Sequence, residues 1–215
     1  VLIFLAIFLE PRKHDWLQRA LCRRIAFFSG ARVVARFSPG FDPQRTSFFV
    51  VNHVNLFDPF LMYCVIPQYV RGWELESHFK IPVYGWLMHR FGNVPVPDAR
   101  RPADLKRMWR MTREALDGGT SLIIFPEGKR TRDGRLNEFE DGGFRLAMQM
   151  GVPIVPVTLV GSFQHFRTGH WLLRPRAVTV VLHDTIDTAG LKKEDVPALR
   201  DRVREIIKAP LEEES

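Results

Sequence analysis

Residues 104–130 read DLKRMWRMTREALDGGTSLIIFPEGKR. Leu105, Met108, Thr112, Ala115 and Leu116 fall on one stripe, with Lys106, Arg107, Arg110 and Arg113 opposite and Gly118-Gly119 as the stop. This spacing predicts a helix over Asp104–Asp117. The apolar run Ser121–Phe125 follows at once and is read as a buried strand. A helix feeding directly into a fully apolar strand is the repeating unit of a layered α/β domain, whose parallel strands are covered on both faces.

Outward from this unit the alternation continues. Upstream, Ser47–Asn52 is a compact apolar strand, Pro59–Val65 a short helix, Tyr84–Phe91 a helix and Asn93–Val96 a short strand. Downstream come a helix over Gly142–Met150 stopped by Gly151, strands Ile154–Leu159 and Ala177–Leu182, and a closing helix Val196–Lys208. The expected fold is therefore α/β: a single layered domain over residues 38–215, with a mixed, largely parallel sheet flanked by helices. Before it, residues 1–37 are read as an N-terminal membrane-associated helical segment. Within Asp15–Phe37, Leu17, Leu21, Ile25 and Phe28 recur at helical spacing beside Arg19, Arg23, Arg24, Arg32 and Arg36, the pattern of a basic amphipathic helix. An ordinary packed helix with a solvated basic face is the other reading of the same pattern.

The apolar run Val1–Leu9 reaches only about half-way through a hydrocarbon layer roughly 30 Å thick, so it cannot span one alone. With Val at position 1, it is read as the remnant of a longer hydrophobic helix, as a processed segment, or as the place where the sequence happens to start. Glu10-Pro11-Arg12-Lys13 does not resemble a signal-peptide cleavage site. In 215 residues, 31 Lys plus Arg against 24 Asp plus Glu give a formal charge of +7, which favours an anionic partner: nucleic acid, an anionic bilayer or a phosphorylated small molecule. Two cysteines, Cys22 and Cys64, are too few for a disulfide framework or a zinc knuckle and point to reduced thiols in a cytosol-facing protein.

Chemistry in open α/β sheets gathers beyond the carboxyl ends of strands, and three such ends here are polar. The first strand runs into His53-Val54-Asn55-Leu56-Phe57-Asp58. A carboxylate on one ring nitrogen fixes a histidine's tautomer and leaves the other nitrogen free to take a proton from a hydroxyl. The alternative is a loop histidine, with Asp58 merely capping the helix that begins at Pro59. A second strand ends in Phe125-Pro126-Glu127-Gly128-Lys129-Arg130-Thr131-Arg132, where an acid, a glycine and three cations suit either an anion site or a solvated hairpin. In the third, Val152-Pro153-Ile154-Val155-Pro156-Val157, two prolines limit ladder donors and predict an edge strand or one bordering a groove.

Taken together, Asn52-His53 with Asp58, then Phe125–Arg130, then Val152–Val157 resemble in order and spacing the glycerolipid acyltransferases, in particular the bacterial 1-acylglycerol-3-phosphate type, over about residues 47–188. The resemblance implies an enzyme that moves a fatty acyl group from acyl-CoA or acyl carrier protein to the free hydroxyl of a lysophospholipid, without a covalent intermediate. On it, His53 is the base and Asp58 orients it. Glu127, Gly128, Lys129 and Arg130 shape the site for the acceptor's phosphate or head group, and Pro153, Val155 and Pro156 belong to the acyl groove. It further implies membrane lipids as partners, a place at the cytoplasmic face of the inner membrane, and no cofactor or metal besides the acyl donor.

Two positions depart from the family pattern. Glu76 stands where the family usually has a lysine, in the block that continues to Pro82 and Gly85, and Asp98 stands where a strand usually ends in arginine. Lys80, Arg100 and Arg101 are the substitutes at hand, or the acceptor is a different lysolipid. Other chemistry lacks its residues. His14-Asp15 and His183-Asp184 come with no metal-site spacing, and His165 and His170 fall in a loop after Gly161, to line the substrate mouth or pack locally. No Gly-x-Ser-x-Gly elbow and no nucleotide-binding glycine loop occurs. The cations are too dispersed for a nucleic-acid platform. A catalytically inactive, membrane-peripheral lipid-binding module is the non-enzymatic alternative, and the intact His53 and Asp58 argue against it.

Overall fold

A computed structural model describes residues 8–99 and 101–213 of the chain. Seven strands form one sheet: β1 (Ala31–Phe37), β2 (Phe48–Val51), β3 (Val70–Leu75), β4 (Val94–Val96), β5 (Ser121–Ile124), β6 (Ile154–Val160) and β7 (Arg176–Leu182). Their order across the sheet is β1-β7-β6-β2-β5-β3-β4, and every pairing is parallel except β6 with β7. Helices α1 (Asp15–Phe28) and α2 (Asp58–Val65) pack on one face. Helices α4 (Pro102–Asp117), α5 (Asp141–Met150) and α7 (Val196–Glu213) cover the other. Between α2 and α4 lies α3 (Tyr84–Phe91), and α6 (Ser162–His165) is a single turn after β6.

The burial of β2 explains why it is central. All four residues, Phe48–Val51, are fully buried, with Phe48 and Val50 in the core under α4, α5 and α7 and Phe49 and Val51 in the core under α1 and α2. A strand apolar on both faces suits only a sheet covered on both sides. Because β2, β3, β4, β5 and β6 run the same way, the residues after Val51, Leu75, Val96, Ile124 and Val160 all emerge along one edge.

Two expectations are corrected, and one strand is added. The helix expected over Asp15–Phe37 ends at Phe28, and Ala31–Phe37 is the edge strand β1, paired with β7 from Ala31↔Arg176 to Phe37↔Leu182. Ser29-Gly30 makes the break, with Gly30 in the left-handed region at φ 82°. The proline-flanked strand β6 is no edge, since β2 and β7 flank it. Pro156 accepts the N–H of His183 at 3.0 Å and returns none, and it sits where the ladder passes from the Ile154–Ile186 bridge to the Val157–Leu182 pairing. The added strand is β3, Val70–Leu75. It carries Arg71, whose guanidinium is wholly buried over the Tyr69 ring and bonds the carbonyls of Val70 and Phe91.

Asp15 explains how the N-terminal part is fastened to the domain. Its carboxylate meets Arg19 at 2.6 Å and Arg71 at 3.4 Å, and Arg19 donates onward to the carbonyls of Ile66 and Gln68. Residues 15–37 are thus built into the sheet and its helical layer. Most of Val1–Leu9 lies outside the described residues. Among the described residues no helix is long and apolar enough to cross a membrane.

Candidate active site

At the edge after β2, the His53 Nδ1 lies 2.9 Å from Asp58 Oδ2. Asp58 is fully buried, and the same oxygen accepts the N–H groups of Val54 at 2.6 Å and Asn55 at 2.8 Å. Its other oxygen, Oδ1, accepts the Ser162 hydroxyl at 3.1 Å. The carboxylate therefore points back into the loop, and α2 has no side-chain cap, so the capping alternative does not describe it. A buried carboxylate held by three other donors fixes the imidazole with Nδ1 as donor and Nε2 as the remaining basic nitrogen. The His53 ring stacks on Phe125 with centroids 4.1 Å apart and planes at 23°, and its side chain keeps 22% exposure, so it is held but reachable.

The turn after β5 completes the support. Glu127 Oε1 accepts the backbone N–H of His53 at 2.6 Å, and Oε2 accepts the N–H and the amide of Asn137 at 2.9 and 2.7 Å. In return the Thr131 N–H donates to the His53 carbonyl at 2.9 Å. Burial pushes the Glu127 carboxyl above the ordinary glutamate range against these three hydrogen bonds, which pull the other way. The Glu127 half of the turn is thus buried structure. Gly128, at φ 63°, reverses the chain so that Lys129 and Arg130 stand exposed. Neither cation has an ion pair or hydrogen bond among the described residues. An unpaired Lys-Arg pair on the turn after β5, the strand paired with the histidine strand, is placed to meet an anionic group.

Lys80 is exposed at the end of the 3-10 turn Glu76–Lys80 that follows β3, a further strand away. The two departures from the family pattern are both satisfied internally. Glu76 pairs with Arg107 of α4, and Asp98 accepts the Ser77 hydroxyl at 2.8 Å. Arg100 lies outside the described residues. Pro153, Val155 and Pro156 are all buried in or beside β6. Asn52 holds that strand's end against β2, accepting from the Leu159 N–H at 2.7 Å and donating to the Leu159 carbonyl at 3.3 Å.

Ser162, Asn55 and Asn137 were not singled out from sequence. Asn55 Nδ2 donates to the Ser162 hydroxyl and carbonyl, both at 2.9 Å, and to the Phe166 carbonyl at 3.0 Å. The only hint in the sequence is that Ser162 follows the end of a strand parallel to the histidine strand. Elsewhere, His165 is buried between Ser29 and the Arg174 carbonyl, and His183 contacts the Thr158 hydroxyl at 2.9 Å. No group of three or more potential metal ligands occurs among the described residues.

A mixed α/β sheet with a His-x4-Asp pair, its acid buried and its imidazole reachable, at one strand end and a Phe-Pro-Glu-Gly turn at the next defines a known class, and this chain belongs to the Acyltransferase family, whose profile matches residues 16–160. Among relatives, 1-acyl-sn-glycerol-3-phosphate acyltransferase LPAT1, chloroplastic, of Arabidopsis thaliana is 41% identical over 142 residues, 64% of this chain and 38% of its own. The alpha form of the same enzyme from Ovis aries is 31% identical over 195 residues, 86% of this chain and 65% of its own. The chain spans about two fifths to one half of the length of the plant proteins it matches. The crystal structure of the 1-acyl-sn-glycerophosphate acyltransferase PlsC from Thermotoga maritima superimposes with a TM-score of 0.78 at 25% identity, covering 99% of this chain and 86% of that one.

Proposed function

We propose that this chain transfers a fatty acyl group from acyl-CoA or acyl carrier protein to the free hydroxyl of 1-acylglycerol-3-phosphate, giving phosphatidic acid. The observation that carries this reading is the His53–Asp58 contact of 2.9 Å at the sheet edge of an Acyltransferase-family domain. The hydroxyl proton passes to His53 Nε2 as the alkoxide oxygen forms its bond to the thioester carbonyl. Collapse of the tetrahedral adduct expels the thiolate, which takes the proton back from the imidazolium and leaves as free thiol. Asp58 holds the Nδ1 side of the ring and stabilises the imidazolium meanwhile.

Lys129 and Arg130 take the acceptor phosphate, with Lys80 further along the same edge and Arg100 as a further cation for it. Glu127 and Gly128 contribute by shaping that turn. The side chains of Pro153, Val155 and Pro156 are buried, so their part is to hold β6, whose end presents Ser162 to Asp58. We place the protein on the cytoplasmic face of a membrane, in contact with it through its N-terminal 37 residues. Incubation with a panel of lysolipids and a long-chain acyl-CoA, with identification of the diacyl products, tests the assignment. Phosphatidic acid as the main product supports it, and no diacyl product from any lysolipid refutes it.

A further inference from the structure

Two segments of the chain meet at one corner of the molecule. Ser29, just after α1, has its hydroxyl 3.2 Å from His165 Nε2, and the His165 ring contacts the Arg174 carbonyl at 2.8 Å. The Arg174 N–H donates to the His165 carbonyl at 2.9 Å, so residues 166–173 form an excursion closed at its base. The Arg176 N–H donates to the Gly30 carbonyl at 3.0 Å, and a Cβ on Gly30 would lie 2.8 Å from the Pro175 ring, so no side chain separates the two segments. Phe27 and Phe28 on one side, and Trp171 and Leu172 on the other, therefore leave the surface from the same place, at 74%, 82%, 96% and 65% exposure. Large aromatics this exposed are not part of any core.

The corner adjoins the histidine loop. The Thr168 hydroxyl donates to the Val54 carbonyl at 2.8 Å, the Phe166 carbonyl receives the Asn55 amide, and Leu56, next in that loop, is 62% exposed. Charge gives the second observation. Neither residues 16–41 nor residues 142–183 contain an aspartate or glutamate. Arg24, Arg32, Arg167 and Arg174 are exposed on these segments, and none forms a salt bridge among the described residues. Exposed Trp and Phe ringed by unpaired arginines match an anionic lipid–water interface, where the rings sit at head-group level and the cations meet the surface charge.

We infer that this corner, the end of α1 together with the Phe166–Leu173 loop, docks into an anionic bilayer, with Trp171 inserted. The inference rests on the acyltransferase reading only for its purpose: a lipid acceptor then reaches His53 from the membrane side. Binding itself requires no turnover, so it is tested without substrate. A polarity-sensitive fluorophore is attached at Trp171→Cys and, as a control, at Ala198→Cys, which is exposed in the first turn of α7 on the other face of the sheet from α1. Cys22 and Cys64, buried and half-buried, label poorly. With vesicles of phosphatidylcholine plus phosphatidylglycerol, the probe at position 171 shifts to the blue and that at 198 does not. The shift shrinks with added salt and with phosphatidylcholine alone. The pair Trp171→Ala, Leu172→Ala in the otherwise native chain lowers vesicle partitioning by about tenfold, as expected for withdrawing two large apolar side chains from lipid, and leaves the far-UV circular dichroism unchanged. An unshifted probe at 171 beside vesicle-bound protein overturns the inference, as does a parent chain that ignores anionic vesicles. A protein partner or a second copy then covers the corner.

Discussion

The carboxylate of Glu127 accepts the backbone N–H of His53 at 2.6 Å while its other oxygen holds Asn137, so the turn that carries Lys129 and Arg130 and the loop that carries His53 move as one piece. Position of the base and position of the anion-facing cations are thereby coupled through one buried acid.

Replacing Glu127 with Gln places an amide NH2 against an N–H donor at one of these contacts. One to two hydrogen bonds are lost, so stability falls by about 1–3 kcal/mol. The loss of placement lowers kcat and raises the acceptor KM together. Urea unfolding and steady-state kinetics read both, and a variant with parental kinetics removes the coupling.

Asp58→Asn leaves the size of the side chain but replaces one of the two oxygens that together accept four donors by an amide nitrogen. The imidazole loses its tautomer preference and its counter-charge, so kcat falls by about 10²–10³-fold, with the donor KM little changed. Pre-steady-state acyl transfer measures this directly.

Ser162→Ala removes one donor from Asp58 Oδ1 and one acceptor from Asn55. Ser162 acts through Asp58, so it is a positioning residue. The fall in kcat is about three- to tenfold, from the looser placement of Asp58, with both KM values little changed. An unchanged kcat with lower stability alone assigns Ser162 to packing.

Lys129→Ala or Arg130→Ala removes a charge-assisted contact to the acceptor, so the KM for lysophosphatidate rises by about tenfold while the KM for acyl-CoA changes little. Equal effects on both substrates contradict the placement of these cations at the head group.

His183 sits by the Thr158 hydroxyl, whose own proton goes to the Ile207 carbonyl at 3.1 Å, and burial lowers the His183 pKa below 6.5. The unfolded chain therefore takes up this proton first as the pH falls, so the stability that neutral His183 contributes is present above pH 6.5 and is lost on acidification. His183→Gln flattens the stability profile below that pH. Denaturant midpoints across the range check the sign.

The elements that were legible in the sequence are those whose pattern agrees with their burial. The stripe over Asp104–Asp117 matches α4, which starts two residues earlier at Pro102, and the apolar run Ser121–Phe125 matches β5. Pattern and burial part company at β1, where Arg32 and Arg36 keep helical spacing and five of seven residues are exposed, so the edge strand continues the look of α1. In β3, the buried Arg71 reads as a surface charge until Tyr69, Phe91 and Asp15 are brought around it. The site divides the same way. His53 and Asp58 are close in sequence and were legible as a pair, whereas Ser162 reaches Asp58 across 104 residues by way of the parallel packing of β2 and β6. The inward turn of Glu127 depends on Asn137, ten residues on in an irregular loop that no periodicity marks.

The central claim is that His53 Nε2 removes the acceptor's proton. The most direct test is lysophosphatidate-dependent release of free thiol from a long-chain acyl-CoA by the parent chain and by His53→Ala, both at saturating lipid on the same vesicles. The claim predicts a loss of about 10²–10⁴-fold in the variant with vesicle binding retained, and thiol release at the parental rate from His53→Ala contradicts it.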